Sequence, residues 1–97
     1  MQSRLTILRD RPSPAADPQT LALGALGWLL SDEDRAQRLL ALTGLTPDAL
    51  REGLGDSATL MAVLDFLCAH EPDLVGAAQA LGVSPQELAD AGRRLSA

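Results

Sequence analysis

The feature that most constrains this chain is its punctuation: from Asp17 onward, helix-starting and helix-stopping residues recur at short, regular intervals. Asp17-Pro18 sets an N-cap before a proline at the first helical position, where the missing N–H has no helical partner to lose. That helix is predicted to run to about Leu30. Ser31-Asp32-Glu33-Asp34 opens a second helix with acidic groups beside its positive end, and Gly44 stops it in the left-handed conformation. Thr46-Pro47-Asp48 begins a short third helix that ends near Gly53 or Gly55. Asp56 or Ser57 opens a fourth, running to about Ala69. The turn His70-Glu71-Pro72-Asp73 leads into a fifth, closed by Gly82, and Ser84-Pro85 caps a sixth that reaches about Leu95.

Residue usage supports the helical reading. Ala and Leu dominate, β-branched residues are sparse, and Phe66 and Trp28 are the only aromatics, which disfavours a strand-built core. The expected fold is all-α: a compact orthogonal bundle of five or six short helices with helix–turn–helix-like corners. A chain of 97 residues suits one domain, placed at residues 17–97, with residues 1–16 as an N-terminal arm. The arm lacks a periodic apolar pattern and contains Arg11-Pro12-Ser13-Pro14. Its Leu5, Ile7 and Leu8 either dock on the body or form a short extended segment.

Two stretches parallel each other, Leu42 to Leu50 and Ala80 to Leu88. Each runs helix, glycine stop, apolar residue, capping hydroxyl, proline, helix. Two copies do not make a solenoid, so the expectation is one helix–turn–helix corner used twice.

Periodicity assigns the core. On the fourth helix Leu60, Met61, Val63, Leu64, Phe66, Leu67 and Cys68 cover most of the circumference, and Ala58, Ala62, Asp65 and Ala69 form the thin outer stripe. On the first, Leu21, Leu23, Leu26, Trp28, Leu29 and Leu30 occupy one broad side, against Thr20, Gly24, Gly27 and Ser31 on the other. Trp28 and Cys68 are therefore expected in one core. A mid-helix glycine costs about 1 kcal/mol relative to alanine, so the Gly24/Gly27 pair needs a reason. The stripe carries no charge, and close approach of another helix explains it, from within the chain or from a partner.

Charge narrows the partners. The net charge is −5; Arg4, Arg9 and Arg11 against Asp10 make the arm basic and leave the remainder at −7. An acidic body repels phosphate, so nucleic acid and anionic membranes are disfavoured. The apolar run Leu21–Leu30 is too short for a bilayer span, which needs about 20 residues. The N-terminal arginines interrupt any leader-like apolar run, and one cysteine, Cys68, forms no internal disulfide. A cytoplasmic protein is expected.

Catalytic chemistry finds no support. Cys68 lies mid-helix among apolar residues, and His70, two residues on, falls about 200° around the helix from it, so it cannot serve as its base. His70, Glu71 and Asp73 sit at a turn, where capping explains them better than metal ligation. Asp32, Glu33 and Asp34 complement the helix dipole, with one of them expected to pair with Arg35 or Arg38. No phosphate loop or nucleotide fingerprint is present. No cofactor, metal or catalytic residue is assigned.

The sharpest local pattern is Ala78-x-x-x-Gly82-Val83-x-x-x-x-Leu88, the spacing of a DNA-reading helix-turn-helix. Its second helix presents Gln86, Glu87 and Asp90 first and Arg93 and Arg94 only at the far end, so specific DNA binding through residues 74–95 ranks as the alternative reading.

Three blocks, Ala25 to Leu29, Arg38 to Arg51, and Ala62 to Leu67 followed by Glu71, resemble a family of small alphaproteobacterial proteins known as a domain of unknown function. The resemblance covers about residues 20–75. It implies an all-α fold in the bacterial cytoplasm and supplies no activity, ligand or catalytic residue. The leading functional reading is thus a non-catalytic protein–protein interaction or regulatory module, either monomeric or homodimeric. Its candidate surface residues are Thr20, Gly24 and Gly27, together with Arg4, Arg9 and Arg11 of the arm.

Overall fold

The computed structural model describes residues 17–96, and over that span the chain forms six helices and no strand. They are α1 (Pro18–Leu30), α2 (Glu33–Thr43), α3 (Pro47–Glu52), α4 (Ser57–Ala69), α5 (Glu71–Leu81) and α6 (Pro85–Ser96). The arm and its Leu5, Ile7 and Leu8 lie outside the described residues.

Five of the six starts are capped by a side chain, as the sequence predicts, and α5 begins after His70 without one. The carboxylate of Asp17 accepts from Thr20 N–H at 3.1 Å and that of Asp32 from Arg35 N–H at 3.0 Å. The Thr46 and Ser84 hydroxyls accept from Ala49 N–H and Glu87 N–H, each at 3.0 Å. Asp56, rather than Ser57, caps α4. Losing one such cap typically costs about 1 kcal/mol.

Both repeated corners turn on a left-handed glycine, Gly44 at φ 78° and Gly82 at φ 73°. After Gly82 the chain closes a Schellman-type loop, with Val83 N–H donating to the Ala78 carbonyl at 3.0 Å. The corner after Gly82 brings α6 back across the molecule. There it packs most extensively on α4 and α1, which also pack on each other.

These three helices surround the core. Leu29, Leu60, Leu64, Leu67 and Leu88 are fully enclosed, and Leu39, Leu50, Ala77 and Ala78 bring in α2, α3 and α5. All six helices thus share one hydrophobic cluster.

The inward face of α1 differs from the expected one. Leu21, Ala22, Ala25, Leu26 and Leu29 are buried, whereas Leu23 and Leu30 are exposed. Ala22 and Ala25 lie at the inner positions because small side chains let neighbouring helices come close. The helical period then carries Leu23 and Leu30 outward with Thr20 and Gly27.

On α4, Leu60, Val63, Leu64 and Leu67 follow the i, i+3, i+4, i+7 spacing of one buried stripe, and Phe66 widens it. Cys68 falls outside that stripe and is exposed, correcting its placement in the core. Trp28 is half-buried and packs on the core's margin.

The Cys68 thiol is pushed above its ordinary pKa by partial desolvation and by the Asp65 carboxylate, against the opposing pull of Arg93. A maleimide should therefore label native Cys68 completely without denaturant, faster as the pH is raised into the alkaline range. A requirement for unfolding before labelling would contradict this placement.

Candidate interaction surface

The two α1 glycines do different work. A Cβ on Gly24 would lie 2.7 Å from a terminal methyl of Leu81, so Gly24 admits α5 and belongs to the molecule's own packing. A Cβ on Gly27 would meet nothing within 4 Å. Gly27 is exposed, and Leu23 and Leu30, 38% and 46% exposed, lie four residues before and three after it, with Thr20 one further turn back. One uncharged helical face is thus turned to solvent. Single exposed leucines are ordinary; leucines aligned along one face are less so.

That face runs into a groove. Leu26 and Leu30 of α1, Ala36 and Leu40 of α2, and Pro47, Leu50, Arg51 and Leu54 on and after α3 line a cleft of about 430 Å³. α1, α2 and α3 each supply one of its walls. Gly53 terminates α3, donating to the carbonyls of Ala49 and Leu50, and leaves Leu54 40% exposed at the rim. Arg51, at the same rim, pairs with Asp48 at 3.0 Å. The groove is otherwise apolar, suited to an inserted hydrophobic side chain. The sequence reading did not identify it. Its one visible signal was Leu54, an apolar residue set between Gly53 and Gly55 where a simple turn would be polar.

At the other side of the α1–α2 corner the polar groups are committed to structure. The Arg35 guanidinium lies 3.8 Å from the Trp28 ring centroid and donates to the Trp28 carbonyl at 2.9 Å and to Ser31 Oγ at 3.0 Å. It caps the end of α1 and covers the indole at once. Arg38 reaches α5 instead, where Nη2 contacts both oxygens of the mostly buried Asp73, at 3.0 and 2.9 Å. The expected pairing of Arg35 or Arg38 with Asp32, Glu33 or Asp34 is therefore replaced: Asp32 is used by a backbone N–H and both arginines find other partners.

Two members of the His70 cluster are also engaged. His70 Nδ1–H donates to the Phe66 carbonyl at 2.7 Å, and its ring stacks on Phe66 with centroids 4.5 Å apart. Asp73 is held by Arg38, and no side chain of the trio caps the start of α5, so the expected capping is replaced by an ion pair and a stacked ring. Among the described residues no group of three His, Cys, Asp or Glu side chains is placed to hold a metal ion. Cys68 opens onto a second cleft, of about 300 Å³, between α4 and α6, with Asp65 and Arg93 on its walls. Its raised pKa leaves the thiol unactivated.

The helix-turn-helix spacing is realised in shape: Ala78 and Leu88 are buried and Gly82 turns the corner. Of the two arginines at the far end of α6, Arg93 is held by Asp90 on its own helix. Arg4, Arg9 and Arg11 lie outside the described residues. No described helix is long and apolar enough to cross a membrane.

No curated protein and no solved structure matches the chain. A family model does, over a longer stretch than the three sequence blocks spanned: residues 15–97 match the family described as "Protein of unknown function (DUF3572)", and the chain belongs to that family.

Proposed function

We propose that this domain is a non-catalytic protein-interaction or regulatory module of the cytoplasm, whose contact surface is the outward face of α1 and the adjoining groove. The observation that carries the reading is the continuity of Leu23, Gly27 and Leu30 with a groove edged by Leu54. Water-exposed apolar area of this kind costs free energy in the isolated domain, at about 25 cal/mol per Å², and that cost is recovered when a partner covers it. His70, Asp32 and Arg35 are engaged at helix ends and Asp73 in an ion pair, which supports the non-catalytic reading.

The reading through α5 and α6 is weaker on electrostatic grounds. A DNA-binding face gains much of its affinity by displacing counterions from phosphates, and here Glu87, Asp90 and an Asp90-bound Arg93 occupy that face.

Affinity capture from the producing cells tests the proposal. A protein retained by the wild-type domain should be retained by Gln79→Glu, on the exposed part of α5, and lost with Leu54→Glu at the groove rim. Equal retention by both variants, or no retained protein with any of them, would count against this surface.

A further inference from the structure

We infer that the outward face of α1 pairs with the same face of a second copy, the two helices running antiparallel and crossing at Gly27. The inference rests on the protein-interaction reading and names its partner.

Gly27 has no reason within its own chain to be a glycine. The helical glycines Gly24 and Gly76 are each explained inside the chain, by Leu81 and Trp28 at 2.7 Å from a would-be Cβ. Gly27 has no such neighbour, and yet its helix bears the propensity cost of about 1 kcal/mol. A backbone exposed by glycine and flanked by leucines allows another helix to approach closely.

The face is also nearly symmetric about Gly27. Leu23 and Leu30 stand about 6 Å before and 4.5 Å after Gly27 along the helix axis. An antiparallel crossing at Gly27 places Leu23 of each copy beside Leu30 of the other, so the face is complementary to itself, as a two-fold interface requires.

Charge favours the same pairing. The described chain carries a net charge of −7, its arginines and acids lying on the other helices and at their caps, whereas Pro18–Leu30 contains no ionisable side chain. Among the described helices only α1 has that property. Two acidic copies meeting there place no charged side chain within the pair of contacting helices, and a charged partner segment would find nothing on this face to pair with. One 13-residue helix and a groove edge make a small interface. It falls below the roughly 800 Å² per partner of a standard stable complex, so the association should be reversible and in the micromolar range or weaker.

Sedimentation equilibrium from about 10 µM to 1 mM brackets that range. The wild-type mass should rise from one copy toward two. Gly27→Glu and Gly27→Arg should each stay monomeric while melting no lower than wild type, because a side chain at 27 meets nothing in its own copy. An equimolar mixture of the two variants should associate again, since a two-fold axis at Gly27 sets the glutamate against the arginine. A wild type that stays monomeric throughout, a Gly27→Glu variant that associates like wild type, or a mixture that stays monomeric would overturn the inference. None of these results depends on capture at Leu54, so the broader interaction reading stands or falls separately.

Discussion

Leu88→Ala should lower the unfolding free energy by about 2–5 kcal/mol, the range for truncating an enclosed leucine. Leu88 is fully enclosed on α6, which packs chiefly on α4 and α1. A cavity there removes contacts from the three helices that build the core, and none of them can shift inward without disturbing the other two. Small domains have total stabilities toward the low end of about 5–15 kcal/mol, so the variant should lose much of its cooperative transition in urea. Helical circular dichroism through the denaturation provides the measurement. A loss below about 1 kcal/mol would mean that α6 is peripheral, as a helix freed for docking on DNA would be.

The prominence of α6 shows where sequence reading reached its limit. Its start was legible, because Ser84 and Pro85 act on their own backbone neighbours. The same holds for Asp17, Asp32, Thr46, Gly44 and Gly82: caps and left-handed stops are local chemistry, decided within a few residues. Which helices occupy the centre is decided by packing between segments far apart in the chain. The Arg38–Asp73 contact spans 35 residues, and nothing near either residue announces it. On α1 the leucines looked like the core side by hydropathy, but Ala22 and Ala25 took the inner positions, which closeness of approach favours. Cys68 was misplaced for a related reason: an almost wholly apolar helix gives the period little contrast by which to choose its outer stripe.

A second large effect should appear as a change of sign between two glycines. Gly76→Ala should destabilise the domain by about 1–2 kcal/mol even though alanine is the better helix former. The new methyl would lie 2.7 Å from two atoms of the Trp28 indole, a rigid ring held from another side by Arg35. Overpacking of that kind costs about 1–3 kcal/mol and outweighs the propensity gain. Gly27→Ala meets nothing within 4 Å and should stabilise the domain by about 0.5–1 kcal/mol. Thermal melts of both variants at dilute concentration give the two signs, and Trp28 emission should change in the first alone. If both substitutions stabilise, the indole does not lie over Gly76.

The central claim is that the outward face of α1 and its groove are where this domain meets protein. A photo-crosslinking amino acid placed singly at Leu54, at Leu30 and at Gln79 in the producing cells tests it most directly. Crosslinks from positions 54 and 30 to one discrete protein species, a second copy of the chain included, with none from position 79, are the predicted result. Absence of any species at 54 and 30, or the same species at all three positions, would contradict it.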